Sequence, residues 1–372
     1  MYKEFEMSTE QDHGYASKEE SFQTVVIGGG QAGLAIGYFL SRLGENFIIL
    51  DKNSHTGDTW RCRWESLRLF TPSQFDSLPR MPFPTSKNNF PSKDDAADYL
   101  KEYAQKFNLP IRHNVNVESL KRTGSGYLIS AGPVSFSARN VIVATGPFQL
   151  PYIPSFTSQL DPGIFQLHSS AYLNPKQISG NYVLVVGAGN SGAEIALELS
   201  RSGKKVWLSG RDVGRVPANS PLGKLFDGRL IWWFMTHILT VDTPIGRKMQ
   251  AGAVHHGTPL GRARRDEITD SGVILTPRMS GVQSGKPQLE DGRILPSEGV
   301  IWATGFQPDY RWINLPIFDE RGYPLHSRGV AKGAPGLFFI GLLFQTGLSS
   351  SLLGGVGKDA KYIAAQVSRN RN

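Results

Sequence analysis

A single cysteine, Cys62, stands in a chain of 372 residues, and that scarcity removes two kinds of chemistry. One thiol cannot build an internal disulfide framework. Nor can it form the Cys-x-x-Cys pair of dithiol redox enzymes, which excludes the disulfide-reductase branch of flavoproteins. Cys62 lies between Arg61 and Arg63 and reads as a packed or idle thiol. Long apolar runs are missing too. The longest patch, Leu230-Ile-Trp-Trp-Phe-Met235 continuing to His237-Ile-Leu239, falls short of the roughly eighteen residues a membrane span needs. It reads as a buried or interface helix, a lid or a homodimer surface, with Pro221-Leu-Gly and Pro244-Ile-Gly-Arg247 beside it. Residues 1–21 are polar and Ser/Glu/Gln-rich, without the basic start and apolar core of a secretory signal. They are expected to be a disordered tail on a cytoplasmic protein with no stable membrane anchor. The histidines show no ligand spacing, and the adjacent His255-His256 point apart in regular structure, so no metal is expected. A Gly-x-Ser-x-Gly nucleophile elbow in a strand-turn-helix context is also missing. The formal charge is +8, for which phosphorylated cofactors suffice. Basic residues are scattered and not interleaved with aromatics, which argues against a nucleic-acid partner.

What the chain does have is glycine in a repeated pattern. Gly28-Gly29-Gly30-Gln31-Ala32-Gly33 follows the strand-like Thr24-Val-Val-Ile27 and opens an apolar helix. About 160 residues later Gly187-Ala188-Gly189-Asn190-Ser191-Gly192 follows Tyr182-Val-Leu-Val-Val186 in the same way. Each unit runs on into a second strand, Asn46-Phe-Ile-Ile-Leu-Asp51 and Lys205-Val-Trp-Leu-Ser-Gly-Arg211. In such a unit the first glycine permits a tight turn and the second lets backbone approach a pyrophosphate. The third lets helix and strand pack closely, and the phosphates sit at the helix N-terminus. Two complete units predict two dinucleotides. Asp51, followed by Lys52, lies where a carboxylate accepts ribose hydroxyls and repels a 2′-phosphate, which predicts FAD at the first site. Arg211 occupies the matching place in the second copy, where a guanidinium grips a 2′-phosphate, which predicts NADPH.

A second repeat accompanies the first. Apolar strands end in Ala144-Thr145-Gly146 and again in Ala303-Thr304-Gly305, where small residues let backbone lie against a nucleotide and glycine turns the chain away. The interval Val115 to Ser137, which includes Val117, is strand-like, with Thr123-Gly-Ser-Gly126 as a hairpin turn. Pro151 to Pro175 reads as a crossing linker. Pro335-Gly-Leu-Phe-Phe-Ile-Gly341 is a returning strand, and Gly354-Gly355-Val-Gly357 opens a final helix whose dipole can face the flavin pyrimidine edge. The predicted fold class is α/β, two Rossmann-like dinucleotide-binding domains with the NADPH domain inserted in a discontinuous FAD domain. The expected limits are 22–165 and 301–372 for FAD and 166–300 for NADPH.

With these motifs the chain after residue 22 resembles the flavin-containing and Baeyer-Villiger monooxygenases, two-dinucleotide flavoproteins. Further carriers are Gly57-Asp58-Thr59-Trp60, Leu67-Arg-Leu-Phe-Thr71-Pro-Ser-Gln-Phe75 with Leu78-Pro-Arg-Met-Pro-Phe-Pro84, and His168-Ser-Ser-Ala-Tyr172. The resemblance implies an NADPH-dependent monooxygenase that reduces FAD, activates O2 as a C4a-(hydro)peroxyflavin and oxygenates a small organic substrate at nitrogen, sulfur or a carbonyl. It implies that Trp60, Thr71 and Gln74 line the flavin, that Asp58 and Thr59 help bind the cofactor, and that Arg63 partners the nicotinamide or peroxide. Thr71, Gln74 and Arg63 are the catalytic candidates. Two departures matter. Family members often carry Thr-Asn in the flavin-facing loop, whereas this chain has Thr71-Pro72, with Gln74 as a substitute amide. Gly163 also stands five residues before His168 instead of four, which leaves His168 open as a coupling residue or a satisfied structural histidine. An NADPH oxidase releasing hydrogen peroxide and a non-catalytic FAD/NADPH sensor are the alternative readings.

Overall fold

The computed structural model describes residues 18–124, 126–214, 227–253 and 259–370. His255-His256 and Pro221-Leu-Gly lie outside them. Among the described residues two sheets dominate. The larger has nine strands. Its middle is the parallel set Leu337–Phe339, Val134–Val143, Lys18–Ile27 and Phe47–Leu50. The burial of Val134–Val143 changes along its length. Its last four residues are buried without a break, as parallel strands covered on both faces require. Its first half alternates and pairs antiparallel with Gly126–Ala131, which forms the expected hairpin with Ser119–Thr123.

The first strand starts at Lys18, inside the stretch expected to be a tail. Lys18–Phe22 pairs in register with Val134–Ala138. Glu20 accepts two hydrogen bonds from the Arg112 guanidinium, at 2.9 and 2.8 Å. A bidentate pair and a ladder together order a segment whose composition alone reads as disordered.

The smaller sheet has five strands in the order Ile274–Thr276, Lys205–Ser209, Tyr182–Val186, Gly299–Trp302 and Phe165–His168, all parallel. Two differences from the sequence reading appear here. The expected crossing linker contains the edge strand Phe165–His168, which is short and exposed at its first two residues and so lacks the apolar run that marks buried strands. The limit expected at residue 300 falls inside the Gly299–Trp302 strand.

The glycine units fold as predicted. The helices Gln31–Arg42 and Asn190–Arg201 follow their fingerprints. The first buries Leu34, Ala35, Ile36 and Leu40 completely and packs against the Lys93–Lys106 and Val356–Arg369 helices. The chain passes between the sheets twice, through Leu150–Pro151 and Phe306–Gln307, which pair as an antiparallel ribbon. Among the described residues no helix is long and apolar enough to cross a membrane. None of their His, Cys, Asp and Glu side chains form a group of three or more able to hold a metal ion.

Candidate functional site: two nucleotide cradles and the loop between them

The two fingerprints have the same local geometry. Gly28 has φ +112°, and a Cβ there would lie 2.6 Å from the Ala144 carbonyl oxygen; Gly187 has φ +110° and faces the Ala303 carbonyl oxygen in the same way. A Cβ on Gly33 or Gly192 would collide with the carbonyl of the first glycine of its own unit. Around Gly30 and Gly189 there is open space, with nothing within 4 Å of an added Cβ. Both of these glycines cap their helices without any side-chain hydrogen bond. Each helix thus presents free backbone N–H groups to an open cradle, which is what a pyrophosphate requires. Ala144 N donates to Ile27 O and Ala303 N to Val186 O, both at 2.8 Å. The Ala-Thr-Gly alanines are therefore the floor against which each first glycine closes. Their threonines hold the crossings: Thr145 Oγ1 accepts from Gln149 Nε2 at 2.8 Å, and Thr304 Oγ1 donates to Tyr152 O. Gly146 and Gly305, at φ +75° and +86°, turn the chain into those crossings.

At the first cradle Asp51 is 4% exposed, with Oδ2 against Gly29. Its Oδ1 accepts from Asn53 N at 3.0 Å and Asn53 Nδ2 at 2.9 Å. Asn53 Nδ2 also reaches Thr59 Oγ1 at 3.3 Å, so one amide ties the Asp51 carboxylate to the Asp58–Arg61 helix. Sequence reasoning missed Asn53, which belongs to no motif. Asp58 Oδ2 accepts from His55 N at 2.9 Å, Trp60 is half-buried against the main core, and Lys52 is exposed. Val117 packs on the second core cluster. The returning segment meets the fingerprint helix at two points. Gln31 Nε2 donates to Ser351 O at 2.9 Å, and Gly341, at φ +82°, sits where a Cβ would approach Ala32 Cβ to 2.9 Å.

At the second cradle Arg211 is exposed and its guanidinium has no hydrogen-bond or ion-pair partner among the described residues, while its neighbour Asp212 pairs with Arg265. Asn190 turns away from its helix: Oδ1 accepts from Gly261 N at 2.9 Å and Nδ2 donates to Pro259 O at 3.3 Å. Glu194, buried on the same helix, takes both arms of Arg262 at 3.1 and 2.9 Å. Burial pushes the Glu194 carboxyl up, and Arg262 opposes that shift. Segment 259–262 thereby spans from the second fingerprint helix to Phe70, against which Gly261 packs. No motif marks this segment in the sequence. Ser191 is half-buried in the first helical turn.

The three catalytic candidates have different surroundings. Arg63 is half-buried, burial lowers its guanidinium pKa, and no carboxylate pairs with it among the described residues. A desolvated cation without a counter-charge favours an anion beside it. Its field reaches His168, whose pKa is lowered by burial and by Arg63 and raised by its bond to Gly305. His168 Nδ1 accepts from Ser170 N at 3.1 Å. Nε2 therefore carries the proton and donates to Gly305 O at 3.0 Å. His168 is a satisfied neutral histidine tying the smaller sheet's edge to the second Ala-Thr-Gly turn. Tyr172 extends the link, its hydroxyl donating to Glu198 Oε2 at 2.9 Å. Cys62 is exposed, so the packed-thiol reading does not hold.

Thr71 Oγ1 donates to Asp76 Oδ1. Asp76 is completely buried, its Oδ2 has no partner, and burial pushes its carboxyl up to about 7. Gln74 is committed elsewhere. Its Nε2 donates to Asn88 Oδ1 at 2.7 Å and Asp227 O at 3.3 Å, and its Oε1 accepts from Asn88 N at 2.7 Å. Both ends of that amide hold neighbouring loops.

Known proteins share this architecture. A family model described as pyridine nucleotide-disulphide oxidoreductase matches residues 25–221. The chain is 41% identical over 345 residues to an uncharacterized CzcO-like oxidoreductase of Geobacillus kaustophilus, covering 92% of this chain and 97% of the relative. It is 38% identical over 356 residues to the uncharacterized oxidoreductase CzcO of Bacillus subtilis, covering 93% and 99%. A solved flavin-containing monooxygenase from Stenotrophomonas maltophilia superposes with a TM-score of 0.75 at 27% identity, over 95% of this chain and 100% of that one. With both cradles formed and one cysteine in place of a redox pair, the chain belongs to the pyridine nucleotide-disulphide oxidoreductase family, as an FAD-dependent oxidoreductase of the flavin monooxygenase kind.

Proposed function

We propose that this protein is an NADPH-dependent flavoprotein monooxygenase, cytoplasmic, acting on a small organic molecule with O2. The observation that carries the reading is the doubled cradle, with a buried carboxylate at the end of the second strand in one copy and an unpaired arginine at that place in the other. Asp51 accepts the adenosine ribose hydroxyls of FAD, and the N–H groups after Gly30 take its pyrophosphate. The N–H groups after Gly189 take the NADPH pyrophosphate, and Arg211 its 2′-phosphate. FAD, once reduced by NADPH, supplies the oxygen-activating chemistry. The chain's own residues bind and orient. Arg63, desolvated and without a counter-charge, stabilises negative charge in the gap between the cofactors. Trp60 and the Thr71–Asp76 pair wall the flavin side against water.

A second reading has one specific support. Pro72 stands where flavin-containing monooxygenases often carry an asparagine, and the amide of Gln74 is already spent on Asn88 and Asp227. A missing donor beside the reduced ring favours an NADPH oxidase that releases hydrogen peroxide. Stopped-flow absorbance separates the two. The yellow protein is reduced by NADPH without air and then mixed with oxygenated buffer. A transient flavin species that outlives reduction, with product formed per NADPH consumed, is the expected result. Direct return to oxidised flavin with one peroxide per NADPH, unchanged by any substrate, means the oxidase.

A further inference from the structure

A cleft of about 230 Å³ opens beside the first cradle, between the Arg229–His237 helix and the start of the Val356–Arg369 helix. Its walls are flat rings held in place by other rings. Trp232 stacks on Phe75, with centroids 5.0 Å apart and planes 18° apart. Trp233 stacks on His237 at 5.4 Å and 14°, yet remains 49% exposed, a large aromatic face left open. The charged side chains lining the cleft are all basic: Arg229 and Lys358, with no carboxylate. Lys358 Nζ is fixed by donating to Thr236 O at 2.9 Å. Arg229 is exposed and its guanidinium has no partner among the described residues.

The cleft is joined to the flavin side at two points. Phe75 belongs to the loop that carries Thr71 and Asp76. Gly354, in the cleft's floor, lies against the Phe75 carbonyl, and Ser351 of the same turn accepts the Gln31 amide of the first fingerprint. Aromatic walls select a flat ring, and two cations with no carboxylate in the lining select a negative end group and repel a protonated amine. The volume lies below that of pockets for drug-sized ligands, so the ring system is one or two fused rings.

We propose that this cleft is the substrate site and that it takes flat aromatic carboxylates, the ring against the open face of Trp233 and the carboxylate on Arg229 and Lys358. The substrate assignment rests on the monooxygenase reading; the ligand class rests on the cleft alone. The test is a titration of the FAD-loaded protein with 2-naphthoate, 2-methylnaphthalene and 2-naphthylmethylamine, followed by tryptophan fluorescence and by calorimetry. Naphthoate should quench saturably and bind at least tenfold more tightly than the amine. Arg229→Gln should weaken naphthoate at least tenfold, leave methylnaphthalene unchanged and retain full FAD content, with Arg229→Lys recovering most of the loss. Equal affinity for acid and amine, or naphthoate binding indifferent to Arg229→Gln, would overturn the ligand class. Naphthoate bound in the expected pattern, with an aromatic carboxylate oxygenated and its KM raised by Arg229→Gln, supports the whole assignment. The same pattern with no oxygenated product from any substrate would remove the monooxygenase reading and leave the aromatic-carboxylate site standing.

Discussion

Replacing Asp76 by asparagine should change how stability depends on pH, and the size and sign of that change follow from burial. Asp76 has no exposed surface, one oxygen on the Thr71 hydroxyl and the other without a partner. From the Lys93–Lys106 helix Tyr99 faces it, and no cation among the described residues pairs with it. The folded carboxyl titrates at about 7, against 3.8 for the unconstrained group. Folding therefore favours the protonated form. The stabilisation is complete below the unfolded value, is lost as pH rises through the interval, and is gone above about 7. Some three pKa units correspond to roughly 4 kcal/mol. The substituted asparagine cannot ionise, and its amide brings a cost of its own that does not vary with pH. The difference in unfolding free energy between Asp76→Asn and the parent should move by roughly 4 kcal/mol between pH 4 and pH 8, in favour of the variant at the alkaline end. Urea unfolding followed by tryptophan fluorescence, at fixed excess FAD, measures it. Taking the difference cancels Asp359, whose buried carboxyl is pushed up in the same direction, to about 6. A difference that stays flat from pH 4 to 8, or one that favours the parent as pH rises, would refute the burial argument.

Three other outcomes are expected. Arg211→Ala should raise the KM for NADPH but not for NADH, by the roughly 1.5–3 kcal/mol of a hydrogen bond to a charged group, about 10- to 150-fold; equal losses on both would contradict the 2′-phosphate assignment. Gly33→Ala should yield protein depleted in FAD, since the new methyl collides with the Gly28 carbonyl; a full flavin-to-protein ratio in the purified variant would count against the cradle. Arg262→Ala strands buried Glu194 and should destabilise by about 3 kcal/mol or more, read as a lowered urea midpoint, and Glu194→Gln in the same chain should recover part of it.

The features legible in the sequence are those whose chemistry is local. A fingerprint glycine is dictated by its own turn and by a helix three residues on, so both cradles, Asp51 and Arg211 could be placed by spacing. The Ala-Thr-Gly repeat was visible as well, although its threonines turn out to hold the crossings. What stayed hidden depends on partners far along the chain. Asp76 looks like an ordinary loop aspartate until the Phe75–Asp76 backbone is seen against Gly354. Arg262 and Asn190 make sense only once segment 259–262 lies on the second helix. The order of residues 18–21 needed Arg112, some ninety positions away. Gln74 was a reasonable amide by position, and only the loop around Asn88 shows that its hydrogen bonds are occupied.

The ribbon formed where the chain leaves one sheet and returns to it has a modular consequence. Gln307 pairs with Leu150, and Tyr152 N donates to Gly305 O at 3.0 Å, so both ends of the inserted piece sit side by side. Neither half needs the other to span a gap. A short turn from Leu150 to Gln307 would reseal the host lobe, and the excised piece, its termini adjacent, is shaped as a transplantable cassette. The same contiguous stretch carries Arg229, Trp232 and Trp233, so exchanging it would replace the second cradle and most of the aromatic cleft together, leaving behind only the wall at Phe75 and the start of the last helix.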